Sequence, residues 1–167
     1  MNDLLDRIPH QPPFRLLDAV TESSPDSLAA TATARSADPF WAGIFAAHYP
    51  GNPIVPGVLL CEMALQAGAC LMAGRDGIAG GIPVVARIRD AKFRRPVRPD
   101  EPLVVSVILT EQVGPAHYMK GKVSASGEAA LAVEFVVTVA GVLPMHTDTG
   151  AKVERAEHSR SGSSRGR

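Results

Sequence analysis

The segment from Val58 to about Met72 is apolar on nearly every face of the helix it would form. Leu59, Leu60, Met63, Ala64, Leu65, Ala67, Ala69 and Leu71 leave no polar stripe, and Pro56-Gly57 opens the run. A helix apolar all round is buried on all sides, so the rest of the chain must wrap it. No stretch of about 18 uncharged apolar residues occurs, so no membrane span is expected. One domain of 167 residues can bury such a helix without disulfides or metals.

Strands are the expected wrapping. From Ile82 onward the pattern is β: Val84 to Phe93, Leu103 to Leu109, Tyr118 to Ser124 and Ala130 to Leu143, with Gly114-Pro115 and Ser126-Gly127 marking turns. Phe14 to Val20 and the Ala/Thr alternation from Leu28 to Arg35 predict two more, separated by Ser23-Ser24-Pro25-Asp26-Ser27. Residues 1–13 read as a short helix start entering a turn set by Pro9, Pro12 and Pro13. Residues 37–57 hold Pro39, Pro50, Pro53 and Pro56 with Gly43, Gly51 and Gly57, and are predicted to be mostly irregular. An irregular stretch of that length inside a compact domain is usually functional. Gly74 and the cluster from Gly77 to Gly81 end the apolar helix. One central helix and several long antiparallel strands make an α+β domain. We assign it to residues 1–146, with 147–167 as a disordered, basic Ser/Gly/Arg-rich tail.

Seventeen basic residues balance seventeen acidic ones, which argues against an electrostatic nucleic-acid binder. Cys61 and Cys70 are too few for a disulfide framework and lack partners at metal-ligand spacing, so neither metal nor cofactor is expected. The N-terminus carries no apolar signal segment, which points to a cytoplasmic protein. Serine-nucleophile, phosphate-loop and dinucleotide-binding signatures are absent.

Glu62 is the only charged residue between His48 and Arg75, and it lies on the apolar helix. A carboxylate in an apolar site finds a partner or takes up a proton, and a protonated carboxyl near neutrality is what a general acid requires. Gln66, one turn on, lies on the same helix face and can hold that carboxyl. The bland alternative is a glutamate facing solvent. His48 sits in Ala46-Ala47-His48-Tyr49-Pro50-Gly51, where prolines would fix a base whose titration range suits proton removal at neutral pH. A lone loop histidine is otherwise structural. Gly57, at the start of the buried helix, presents an unpaired N–H with no side chain in the way, a ready site for an oxyanion. Base, acid and oxyanion donor together fit proton abstraction α to a carbonyl followed by loss of a β-hydroxyl. His10 reads as architectural, His117 follows a turn, and His146 and His158 belong to the tail or its approach. Arg87, Arg89, Lys92, Arg94, Arg95 and Arg98 form a basic stripe beside Phe93. It suits docking of an acidic partner, or simply a charged, solvated strand edge.

These residues fall into four ordered motifs. Ile8-Pro9-His10-Gln11-Pro12-Pro13-Phe14-Arg15-Leu16-Leu17-Asp18 resembles an N-terminal Leu-Pro-His…Pro-Phe…Asp motif, and Ala47-His48-Tyr49-Pro50 through Pro56-Gly57-Val58-Leu59 a Gly-His-Phe-Pro…Pro-Gly-Val-Leu loop. Glu62-Met63-Ala64-Leu65-Gln66-Ala67 and Ala91-Lys92-Phe93-Arg94-Arg95-Pro96-Val97 resemble the acid-bearing helix and a later strand. Over roughly residues 4–143 the chain thus resembles the β-hydroxyacyl-acyl carrier protein dehydratases of type II fatty-acid synthesis. The resemblance implies a hotdog fold, an antiparallel sheet around the central helix. It implies a homodimer, or a heterodimer with another hotdog subunit, that can enter a higher oligomer, with histidine and glutamate from different subunits. By the same resemblance His48 is the base, Glu62 protonates the leaving hydroxyl, and Gly57 N–H polarises the thioester carbonyl, with Gln66 and Tyr49 in support. The substrate would hang from the phosphopantetheine of an acyl carrier protein, an acidic partner for Arg89, Lys92, Arg94 and Arg95. The product would be a trans-2-enoyl thioester from a (3R)-3-hydroxyacyl one. The chain departs from the family at Ala47, in the longer stretch Phe40–Ala46, and at Val84 and Val85, which stand where aromatics are usual. Such a chain suits fatty-acid or polyketide and polyene synthesis. A partner-dependent or acyl-binding subunit without activity, and a hotdog thioesterase, are the other readings.

Overall fold

The computed structural model describes residues 3–75 and 81–141. The expected tail, His146, His158, the domain boundary at 146 and most of the Gly77 to Gly81 cluster lie outside the described residues. The chain runs α1 (Asp3–Asp6), β1 (Ala19–Ser23), β2 (Ser27–Thr33), α2 (Pro39–His48), α3 (Gly57–Ala73), β3 (Gly81–Phe93), β4 (Pro102–Val113), β5 (Ala116–Ala125) and β6 (Glu128–Gly141).

The apolar segment is α3, seventeen residues long. It packs against β2, β3, β4, β5 and β6, so a single antiparallel sheet curls around it in the order β1-β2-β4-β5-β6-β3. That is the hotdog arrangement expected from the motifs. Alternation sorts the strands: Leu103, Val105 and Val107 of β4 face the helix and are buried, while Val104 and Ile108 face outward. Met119 and Val123 of β5 face inward opposite Phe135 and Leu131 of β6. Each fully buried side chain of this kind contributes roughly 1.5–3 kcal/mol.

The helix lies close to the sheet because glycines permit it. A Cβ on Gly68 would fall 2.8 Å from the Phe135 ring, and one on Gly121 would fall 2.9 Å from the Ala64 Cβ. The Ser126-Gly127 turn is a tight hairpin between β5 and β6, with φ of 50° and 86°, the left-handed pair that matches strand twist. The other end of α3 is tied down by Arg75, whose Nη1 donates to Asp26 Oδ1 at 2.9 Å and to the Pro25 carbonyl in the β1–β2 turn.

Two expectations fail locally. Residues 37–57 are not mostly irregular, because ten of them form α2. Pro39 starts this helix instead of breaking one. Its missing N–H is not needed in the first turn, and the Asp38 carboxylate caps it by accepting from Phe40 N at 2.9 Å and Trp41 N at 3.4 Å. Trp41 and Phe45 bury one side of α2. The strand expected over Phe14 to Val20 begins only at Ala19; Phe14 N and Arg15 N instead close a turn on the Gln11 carbonyl.

The link from β3 to β4 is held by Arg95 and Glu101. Arg95 Nη2 donates to Glu101 Oε2 and to the Ala125 carbonyl, each at 2.7 Å, and Nη1 to the Pro96 carbonyl at 2.9 Å. Arg98 N donates to Glu101 Oε1 at 2.7 Å. The Arg95 hydrogen bond is the main cause holding the Glu101 carboxyl below its ordinary value. Stability gained that way is complete above the ordinary glutamate range and is lost as acid titrates through the lower folded value.

We expect Gly121→Ala to destabilise the fold by about 1–3 kcal/mol through overpacking, read by denaturant melts. Glu101→Gln should lower the melting temperature at neutral pH, and that difference should close in acid below about pH 4. Thermal melts across that range check it; a difference independent of pH would show that the charge is not what Arg95 holds.

Candidate active site

Glu62 lies one and a half turns into α3 and is part-buried, with 21% of its side chain exposed. It is neither sealed in the apolar core nor simply solvated. Its Oε1 accepts from Gln66 Nε2 at 2.9 Å, the hydrogen bond expected from the one-turn spacing. Gln66 is fully buried and its orientation is fixed. The Leu16 N–H donates to Gln66 Oε1 at 2.9 Å, and Gln66 Nε2 donates to the Phe14 carbonyl at 2.9 Å. A carbonyl and an N–H can be matched only by the amide in this sense, so the Gln66 N–H₂ must face Glu62.

His10 is not merely architectural. Its Nε2 stands 3.6 Å from Glu62 Oε1. With Pro9, Leu65, Ala69 and Ile82 to Val85, the pair lines a cleft of about 270 Å³. The signal in the sequence was the Pro9-His10 turn preceding Phe14, but its pairing with Glu62 spans fifty-two positions and follows no local spacing.

His48 is the last residue of α2, so a helix end and not an irregular loop positions it. Its Nδ1 lies 3.4 Å from the Ile54 carbonyl. A carbonyl can only accept, so this contact favours the tautomer that carries hydrogen on Nδ1 and leaves the Nε2 lone pair free. The Tyr49 ring stands edge-on to the imidazole, with centroids 4.6 Å apart. His48, Tyr49, Ile54, Gly57, Val58, Phe93 and Arg94 line a second cleft, of about 530 Å³.

Gly57 opens α3 after Pro56, which gives no side-chain cap. The amides of the first turn have no carbonyl behind them in the helix, so Gly57 N–H remains available for an oxyanion. Gly57 has no room for a side chain on its Cβ side. The Phe93 ring covers it, and a Cβ would sit 2.7 Å from Phe93 Cε1. Phe93 therefore belongs to the wall of the His48 cleft.

One chain thus brings His48, Tyr49 and Gly57 into one cleft and Glu62, Gln66 and His10 around another. The basic stripe is divided as well. Arg89, Lys92 and Arg94 are exposed, Lys92 pairing with Asp90 at 2.6 Å. Arg95 is spent on Glu101, Ala125 and Pro96, so it serves the fold and is withdrawn from the docking set. His117, expected beside a turn, is buried on β5. Among the described residues no helix is long and apolar enough to cross a membrane.

Residues 8–136 match the FabA-like domain family. Over 101 residues, 60% of this chain and 68% of the relative, the sequence is 44% identical to 3-hydroxyacyl-[acyl-carrier-protein] dehydratase FabZ of Symbiobacterium thermophilum. Over 139 residues, 83% of this chain and 96% of the relative, it is 33% identical to the FabZ of Clostridium acetobutylicum. The dehydratase heterocomplex ApeI:P from Xenorhabdus doucetiae contains a chain of the same fold, with a TM-score of 0.69 and 17% identity over 83% of this chain and 91% of that one. A helix wrapped by a sheet, the family match over residues 8–136 and likeness to FabZ over 83% of this chain agree: the chain belongs to the FabA-like family, among its 3-hydroxyacyl-[acyl-carrier-protein] dehydratases.

Proposed function

We propose that this chain removes water from (3R)-3-hydroxyacyl thioesters on acyl carrier protein, giving trans-2-enoyl thioesters for fatty-acid synthesis, in a site completed by a second hotdog subunit. One observation carries the reading: His48 and Glu62 occupy different clefts at opposite ends of β3. The Glu62 cleft is walled by Ile82 to Val85, at the start of β3, and the His48 cleft by Phe93 to Pro96, at its end. β3 is an edge strand whose Val84, Val85, Ile88 and Phe93 are exposed. A long apolar edge is a template for pairing with another chain. Antiparallel pairing of two β3 strands sets the start of one beside the end of the other. It thereby joins the Glu62 cleft of each subunit to the His48 cleft of its partner.

In that composite site His48 Nε2 takes the α-proton. Charge develops on the thioester oxygen, where the Gly57 N–H at the positive end of α3 stabilises it. Protonated Glu62 gives its proton to the β-hydroxyl, the Cβ–O bond breaks, the double bond forms and water leaves. Exchange with solvent resets both groups, so no cofactor is required. Gln66 holds Glu62 Oε1 and leaves Oε2 for the hydroxyl; Tyr49 fixes the imidazole plane. Arg94 lines the His48 cleft, and with Arg89 and Lys92 it presents positive charge to an acidic carrier protein.

His48→Ala and Glu62→Gln should each abolish turnover, read by mass spectrometry of the acyl arm for loss of one water, while leaving assembly intact. Near-wild-type rates in either would sink the mechanism. Mixing the two dead variants after dissociation should restore about a quarter of wild-type activity, because half of randomly re-paired two-fold dimers hold one intact site of two. No restoration, with exchange verified, would place both groups in one subunit. Arg94→Glu should raise KM for a carrier-protein substrate severalfold and leave KM for the same acyl group on a small thiol unchanged.

A further inference from the structure

We propose that His10 is a positioning residue for the acid, a second donor to Glu62 Oε1 that keeps Oε2 turned toward the substrate hydroxyl. The inference rests on Glu62 being the acid, as read above.

The observations come from one segment. Residues 9–16 wrap the single polar turn of α3: Phe14 and Leu16 hold Gln66 through their backbone, Gln66 holds Glu62, and His10 faces the same oxygen of Glu62 from the other side. The segment is braced by its own turn, with Phe14 N and Arg15 N on the Gln11 carbonyl at 2.9 and 3.0 Å. The His10 ring lies near the Phe14 ring, with centroids 6.3 Å apart. Its Nδ1 is buried without a hydrogen-bond partner. Orphaned buried N–H groups are rarer than orphaned acceptors, so this setting favours the tautomer with its hydrogen on Nε2, the nitrogen that faces the carboxyl. A histidine kept only for packing has no reason to leave one nitrogen unpaired and aim the other at an acid.

The Nε2 to Oε1 distance of 3.6 Å is longer than a hydrogen bond. Catalytic contacts in empty sites are often long and tighten when substrate is bound. Closure needs only a small rotation of either side chain, since both are part-exposed to the cleft, at 25% and 21%. With Gln66 and His10 both on Oε1, the carboxyl cannot swing its proton-bearing oxygen away from the cleft. His10 touches neither the α-carbon nor the thioester in this scheme, so its loss should show in the chemical step and not in binding.

His10→Phe keeps the ring and its packing and removes the nitrogen; His10→Gln keeps an N–H donor near the Nε2 position. Steady-state kinetics on a carrier-protein substrate should show kcat reduced about tenfold to a hundredfold in His10→Phe, the range expected for a lost hydrogen bond to an ionisable group. KM should stay within about twofold, and most of kcat should return in His10→Gln. Melting curves verify folding, and His10→Ala replaces His10→Phe if the larger ring does not fit. Unchanged kcat in the folded truncation, a change confined to KM, or no rescue by His10→Gln would overturn the proposal. Glu62→Gln assayed in parallel separates the two ideas. If it is inactive while His10→Phe is normal, only the role of His10 falls; if it is active, the assignment of Glu62 as the acid falls, and this one with it.

Discussion

Helix α3 passes so near β5 and β6 that neither Gly68 nor Gly121 has room for a Cβ against Phe135 and Ala64. That close approach buries a long apolar helix on nearly every side, and it leaves the helix little surface for polar groups. The turn from Glu62 to Gln66 is where polarity survives. It survives because backbone from outside the helix, at Phe14 and Leu16, satisfies the buried amide of Gln66. An unsatisfied amide there would cost about 1–3 kcal/mol, so the N-terminal segment is bound to this turn energetically as well as by packing. Packing of the helix and placement of Glu62 are therefore one problem with one solution.

The same packing explains why His48 and Glu62 lie in different clefts. Among the described residues the sheet that wraps α3 ends at β3, whose outer side has no paired strand. From Val84 to Arg94 every residue of this edge is exposed, apolar ones included. Bulges between Val85 and Arg87 and between Ile88 and Ala91 disturb its register with β6, so it does not alternate as the inner strands do. One cleft opens at each end of this edge. The division of His48 and Glu62 between two clefts and the exposed apolar edge between them follow from the same arrangement of the sheet around α3.

What the sequence revealed followed from periodicity and from turns. The burial of α3 is legible because apolar residues fall on nearly every face of Val58 to Met72, with only Glu62 and Gln66 breaking the run, and the hairpin at Ser126-Gly127 because a short turn between two strands favours left-handed residues such as glycine. Helix α2 was missed for a physical reason: Pro39 reads as a breaker unless Asp38 is recognised as the cap that makes it a first-turn proline. That signal was local and available. The roles of Arg95 and His10 were not available in that way. Arg95 looked like part of a charged strand face, and its assignment depends on where Glu101 and the Ala125 carbonyl come to rest. His10 depends on a pairing across fifty-two positions. Sequence pattern reports which face a residue shares; it does not report which distant chain crosses that face.

The placement of the two key groups on helix ends and turns has a further consequence for how the chemistry is tuned. His48 closes α2, and Gly57 opens α3, where amides point outward and favour negative charge. The environment at Gly57 suits an oxygen that gains negative charge. The short link of residues 49–56 that joins the two helices turns these opposite ends toward a single cleft. Its prolines at 50, 53 and 56 restrict the backbone that joins them. The bond between Val55 N and the Val97 carbonyl, at 2.8 Å, anchors it to the chain just past β3. Electrostatic stabilisation works best when the dipoles are in place before charge develops. A link restricted by proline and anchored beside the edge strand fixes Gly57 and His48 in the wall of one cleft.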